Sequence, residues 1–180
     1  TILGHTGSNP RLERCFSEAF NHQARALAGE EQELKNLWNK LPAAIENMPS
    51  ILAARLESIM AHGQHDSAEK EFRKVIPKTW DHRLIKLYAK LDTPDLATLS
   101  KRIERWLVDR PRDANLWLAA SQLAKRDELW TQAKQFLERS IENKETSLAY
   151  NELGLILLEL GQEDEAIKAF NKALNLNNNQ

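Results

Sequence analysis

The chain has a single cysteine, Cys15, six glycines, six prolines, almost no net charge and no long apolar run. A lone cysteine excludes an intrachain disulfide and a structural zinc site built from several thiolates. A formal net charge of −1 over 180 residues supplies no field that would draw in nucleic acid or an anionic membrane. No stretch of about 18 apolar residues is present, so no segment of this chain spans a membrane as a helix. No stretch alternates strictly in the manner of a half-buried strand, and no G-x-G-x-x-G dinucleotide fingerprint occurs. No nucleophile and base pair, phosphate loop or carboxylate-histidine cluster stands out, so an enzyme of unknown reaction is the lowest of the functional readings.

What is present is the balance of a folded, helix-rich protein, 42% hydrophobic and 28% charged. Residues 1–10 combine glycines, a proline and small polar residues and read as a flexible lead-in. From Arg11 onward apolar residues recur at helical spacing, as in Leu12, Cys15, Phe16, Ala19 and Phe20, then Leu34, Leu37, Trp38 and Leu41. Pro42, Pro49, Pro77, Pro94 and Pro111 fall at intervals that suit helix boundaries, because proline is tolerated in a first turn and breaks an interior.

The stretch 150–170, YNELGLILLELGQEDEAIKAF, carries an internal pattern. Tyr150, Leu153, Gly154 and Leu157 are followed by Gly161, Ala166, Phe170 and Ala173, which fits the helix-turn-helix signature of the tetratricopeptide repeat, about 34 residues long. The positions 33 residues earlier hold Trp117, Ala120, Ser121, Ala124, Ala133, Leu137 and Ser140, so Tyr150 and Phe170 meet large residues while Gly154, Ala166 and Ala173 meet small ones. A weaker unit fits Leu84, Leu87, Tyr88 and Leu91, and another fits Leu52, Leu56, Gly63, Ala68 and Phe72. The expected fold is all-α: a right-handed superhelical stack of antiparallel helix pairs, a TPR-like α-α solenoid. The expected units are an N-terminal helical segment at 11–48 and hairpins at 49–80, 81–113, 114–146 and 147–180. Gly154 and Ala166 allow close helix contact, Gly63 and Gly161 turn the chain, and Tyr150 and Phe170 fill the space between units. With no following helix, Leu157 and Phe170 are expected to form an exposed apolar edge through which copies of the chain could associate.

The segments LWNKLP (37–42), RLIKLYAKL (83–91), RIERWLVDRP (102–111) and RDELWTQAKQFLERSI (126–141) occur in an order that resembles the C-terminal part of the proteobacterial HemY family. The resemblance covers roughly residues 34–175 and implies a repeat domain tied to the bacterial inner membrane by two N-terminal helices absent from this chain, facing the cytoplasm. It also implies an association with haem or porphyrin metabolism, with haem-pathway or envelope proteins as partners.

Function is expected on the first-helix face of each pair. With Leu52, Leu84, Trp117 and Tyr150 as fourth residues, the second, fifth, ninth and twelfth positions face the groove and include Glu57, His82, Gln122, Lys125 and Asn151. The principal reading is a non-catalytic protein-interaction scaffold without cofactor; the alternative is a haem or porphyrin carrier with an axial ligand such as His82. His62 and His65 read as exposed loop histidines rather than a ligand pair, since Gly63 separates them and no third ligand is apparent. Cys15 reads as a small apolar residue packed beside Phe16 and Ala19 rather than as a nucleophile with His22. Trp106, Trp117 and Trp130 read as packing residues, while Trp38 and Trp80 lie near helix ends and are expected to be partly exposed. The basic stretch 101–112 reads as a solvated second-helix face.

Overall fold

The computed structural model describes residues 14, 15, 18–20, 22, 23, 31–41 and 43–178. The lead-in expected at residues 1–10 lies outside them. Every regular element among the described residues is a helix. The chain divides into two compact units, Thr1–Leu87 and Tyr88–Gln180.

The first unit contains α1 (Glu31–Asn39), α2 (Ala43–Glu46), α3 (Pro49–Ala61), α4 (His65–Thr79) and most of α5 (His82–Tyr88). Pro49 opens α3, where its missing N–H has no intrahelical acceptor to lose. α3 and α4 pack as a hairpin, turning at Gly63 with φ +72°; Leu52 and Leu56 of α3 and Ala68, Phe72 and Ile76 of α4 are buried. Pro77 does not mark a boundary: α4 runs on to Thr79. Its missing N–H removes one bond and leaves the rest of the helix in place, and the helix stops instead at Trp80, which donates its N–H to the Ile76 carbonyl at 2.8 Å and takes a left-handed φ of 49°.

On the other side of α3, Ile51 is buried beneath Phe20, Leu37, Trp38, Leu41 and Met48, with the Phe20 and Trp38 ring centroids 4.4 Å apart. Cys15 and Ala19 are exposed, which corrects their assignment as packed residues. Burying the Phe20 ring removes far more apolar area from water than burying a thiol, so the register that turns Phe20 inward prevails. At about 100° per residue, that register carries Ala19 aside.

α5 spans only seven residues, and Leu91, expected on the same helix, lies beyond it yet is fully buried. Pro94 disfavours helix at Thr93, and the next helix starts only where Asp95 caps it, accepting from the Thr98 N–H at 3.0 Å.

The second unit contains α6 (Leu96–Asp109), α7 (Ala114–Arg126), α8 (Trp130–Asn143), α9 (Ser147–Glu159) and α10 (Glu163–Asn178), each packed on the next. Asp113 caps α7 by accepting from Asn115 N–H at 3.0 Å, and Thr146 caps α9 by accepting from Ala149 N–H at 3.1 Å. One apolar cluster joins Ala124 of α7, Ala133 and Leu137 of α8, and Ala149 and Ile156 of α9. Another joins Leu157 to Ala166 and Ala169 of α10, with Leu153 and Phe170 against it. The buried Ser140 hydroxyl donates to the Ala114 carbonyl at 2.8 Å, so its burial carries no unmet polar group. Gly154 faces Phe170 so closely that an added Cβ would lie 2.6 Å from the ring Cζ and 2.7 Å from Cδ1. Leu157 is therefore covered from within its own hairpin, contrary to the exposed edge expected there.

The α7–α8 turn contains a feature the repeat comparison passed over. Gly63 and Gly161 occupy equivalent turns at φ +72° and +71°, and the third such position, Glu128, adopts φ 57°. A left-handed conformation costs a side-chain-bearing residue about 1–2 kcal/mol, which the entropy of glycine partly offsets. Glu128→Gly is expected to stabilise the protein by about 0.5–1 kcal/mol, read as a higher urea midpoint. No rise, or a fall, would contradict the idea that this turn is strained.

Candidate functional site

The two units present the expected groove residues separately. In the first, Glu57 on α3 and His82 at the start of α5 are exposed. In the second, Gln122 and Lys125 on α7 are half-buried and Asn151 on α9 is exposed. Lys125 Nζ sits 3.0 Å from Glu152 Oε2, so its charge braces α7 against α9. Asn115, Leu118, Gln122 and Lys125 follow one another at three, four and three residues along α7. On α9, Leu148, Asn151, Leu155 and Leu158 do the same, which places each set on one helix face. The Lys125–Glu152 bridge sets these two stripes side by side.

The leucines of this face were overlooked in the sequence. Leu148, Leu155 and Leu158 are 40%, 45% and 47% exposed, on a helix whose opposite sides bury Ala149, Ile156 and Leu157. The signal was available, because the numbering that selects Asn151 as a fifth position makes these residues the second, ninth and twelfth. α9 carries apolar residues all round, more than its neighbours absorb, and the surplus faces solvent.

The stripe is held on a braced helix. Tyr150 Oη donates to Glu145 Oε1 at 2.6 Å, and Lys172 Nζ of α10 lies 3.6 Å from the same carboxylate and 5.9 Å from the Tyr150 ring centroid. Burial, then hydrogen bonding to Glu145 and the charge of that carboxylate, push the Tyr150 hydroxyl up to about 12. The Tyr150 hydrogen bond, then the Lys172 ammonium, hold the Glu145 carboxyl below its ordinary value. Lys134 Nζ donates to Gln162 Oε1 at 3.0 Å, fastening α8 to the turn between α9 and α10.

The repeat-packing residues take these places. Gly63 and Gly161 occupy turns; Ala68, Phe72, Leu84, Tyr88, Ser121, Ala133, Leu137, Gly154 and Ala166 are buried; Leu87, Trp117, Tyr150, Leu153 and Phe170 are half-buried. Tyr88 stacks obliquely on the buried Trp106 at 4.9 Å. Trp117 packs 5.8 Å from Phe136 and donates its Nε1 hydrogen to the Pro111 carbonyl at 2.8 Å.

His62 and His65 are half-buried rather than exposed, because they flank the Gly63 turn at the end of α3 and the start of α4. His62 Nδ1 donates to the Ser58 carbonyl at 2.8 Å. Among the described residues no group of three or more histidine, cysteine, aspartate or glutamate side chains is placed to hold a metal ion. A cleft of about 230 Å³ lies in the second unit, with Ala97, Ala120 and Ala124 on its walls and Lys101, Glu104 and Asp127 among its polar groups. No histidine, cysteine or methionine lines it, and it is smaller than the roughly 300–1,000 Å³ of pockets that hold drug-sized molecules, so it does not fit a haem.

Taken as chemistry, the α7 and α9 faces offer apolar leucine anchors between two amides, Gln122 and Asn151, that can each donate and accept. Such a surface binds a polypeptide segment by burying apolar side chains while the amides satisfy its backbone.

No curated protein matches the chain. Residues 147–180 match the tetratricopeptide repeat model. Among solved structures, TTC0263, a thermophilic TPR protein of Thermus thermophilus, is 17% identical with a TM-score of 0.62 over 91% of each chain. MamA 41-end from Desulfovibrio magneticus RS-1 is 17% identical with a TM-score of 0.57 over 98% of this chain and 99% of that one. At such identities the likeness speaks for the fold, which is an all-helical α-α solenoid of tetratricopeptide type with its last hairpin a tetratricopeptide repeat.

Proposed function

We propose that this protein is a non-catalytic interaction scaffold that holds a segment of another protein along the α7 and α9 faces of its second unit. The observation that carries this reading is the row of exposed leucines, Leu148, Leu155 and Leu158, beside Asn151 on a braced helix. Apolar side chains at helical spacing on a rigid element serve as anchors for the apolar side chains of a bound segment. The resemblance to the HemY family extends the proposal to a place at the cytoplasmic face of a bacterial inner membrane, with partners among haem-pathway or envelope proteins. No described helix is long and apolar enough to cross a membrane, so attachment in this reading belongs to N-terminal helices outside the sequence given.

The test is affinity capture from a bacterial membrane extract, with the wild-type chain beside a variant carrying Leu148→Ser, Leu155→Ser and Asn151→Ala. These side chains contribute to no buried cluster, so the fold should persist by circular dichroism. Recovery of the partner is expected to fall at least about tenfold, the equivalent of about 1.4 kcal/mol. Equal recovery by the variant would remove this face from consideration. A captured set without haem-pathway or envelope proteins would end the HemY part of the proposal and leave the scaffold part standing.

A further inference from the structure

The cleft of about 230 Å³ in the second unit lies where one interface of the stack is built differently from the next. Helix starts align α6 with α8 at an offset of 34 residues, and α7 with α9 and α8 with α10 at 33. In this alignment Ala120 and Ala124 of α7, on the walls of the cleft, correspond to Leu153 and Leu157 of α9. Those leucines fill their interface, Leu157 clustering with Ala166 and Ala169 and Leu153 packing against them. Ser100 of α6 corresponds to Lys134 of α8, whose Nζ spans the gap to α10, 3.0 Å from Gln162 Oε1 and 3.4 Å from Glu165 Oε2. Where α6, α7 and α8 meet, the two leucines are alanines and the spanning lysine is a serine, so the space stays open. Phe136 stands where α10 has Ala169, but its ring packs 5.8 Å from Trp117 and serves as a wall.

The polar groups around this space are uncommitted. Among the described residues the side chains of Ser100, Lys101, Glu104, Asp127 and Gln132, which line the cleft, make no hydrogen bond or ion pair. Successive helices joined by turns of a few residues run antiparallel, so α6 and α8 both oppose α7. That topology sets Ser100, Lys101 and Gln132 toward one end of the cleft, beside Ala124, and Glu104 toward the other, beside Ala120. One end therefore offers three donors to an anion and the other offers a carboxylate to a cation, with apolar walls between. The volume, below that of pockets for drug-sized molecules, restricts the occupant to a small metabolite.

We propose that this cleft binds a small zwitterion with an apolar body, the chemistry of a free α-amino acid whose side chain is apolar. The ligand ammonium donates to Glu104, the ligand carboxylate accepts from Lys101 with Ser100 and Gln132 beside it, and the apolar side chain lies on Ala120 and Ala124. Asp127, at the carboxylate end, disfavours a ligand with a second negative charge. Ala120 and Ala124 lie two residues to either side of Gln122, about 200° round α7 from it, so the cleft opens away from the face proposed to hold a protein segment. The two sites stand or fall independently.

Titration of the whole isotope-labelled chain with L-leucine, followed by backbone amide shifts in nuclear magnetic resonance, tests the proposal. Saturable shifts are expected at residues of α6 and α7 that line the cleft. Isoamylamine, which lacks the carboxylate, and isocaproate, which lacks the ammonium, should each bind at least about tenfold more weakly, and L-glutamate should not bind. Glu104→Gln should weaken leucine and isoamylamine while leaving isocaproate unchanged, and Lys101→Gln should weaken leucine and isocaproate while leaving isoamylamine unchanged. Ala120→Leu, which installs the residue that α9 carries at the corresponding position, should abolish binding with circular dichroism unchanged. Leu148→Ser with Leu155→Ser should leave it intact. Absence of saturable shifts with leucine would overturn the proposal. So would equal affinity for either singly charged analogue, binding that survives Ala120→Leu, or loss of binding on changing Leu148 and Leu155.

Discussion

Replacing Leu137 with alanine should lower the unfolding free energy by about 3–5 kcal/mol, in the upper part of the range for buried leucines. Leu137 is fully buried, and the cluster around it includes Ala124, Ala133 and Ala149. Alanines have no side-chain torsions with which to fill a vacated space, so the cavity stays open and its walls lose their contacts. The position also joins α8 to both α7 and α9, so the loss falls on two interfaces of the stack rather than one. Urea titration followed by far-ultraviolet circular dichroism provides the measurement. A midpoint that falls by less than the equivalent of about 1 kcal/mol would mean that the site collapses and the packing is looser than described. The exposed Ile167→Ala serves as control and should stay within about 0.5 kcal/mol of wild type.

Gly154→Ala sets two opposing effects against each other. Alanine in place of glycine within a helix is worth about 1 kcal/mol. The new methyl group, however, would meet the Phe170 ring at well under van der Waals distance, and such overpacking costs about 1–3 kcal/mol. Packing should prevail, with a net loss of about 1–2 kcal/mol. Phe170→Leu in the same chain should recover part of that loss, and the double-mutant cycle should show a coupling above about 0.5 kcal/mol. Stabilisation by Gly154→Ala alone would show that the ring yields freely and that helix propensity governs this site.

The all-helical class and the tetratricopeptide character of the last hairpin were legible because they rest on local chemistry. Helical spacing of apolar residues and the glycine, alanine and aromatic positions of residues 150–170 are properties of a short stretch of chain. The departures arose where a competing contact outweighed a local rule. Pro77 reads as a boundary, but α4 tolerates the one hydrogen bond it lacks and runs on to Thr79. Leu91 reads as helical, but the helix ends at Tyr88 while burial keeps the side chain in the core. Cys15 reads as packed, but the register that buries Phe20 leaves it exposed.

The candidate site was legible only in part. Position numbering pointed to Gln122, Lys125 and Asn151, yet it could not reveal that Lys125 is engaged by Glu152, a partner 27 residues away. Nor could it separate the leucines of α9 that go to the core from those that stay in water, because α9 is apolar on every side. Spacing along one helix states which residues share a face; only the neighbours decide which face is covered. For this protein the residue pattern alone settles that helices form and pair, since periodicity and turn chemistry act within a few residues. The tertiary structure alone settles that Leu157 is sheltered while Leu148, Leu155, Ile167 and Leu174 are not, since exposure depends on side chains brought together from distant parts of the chain.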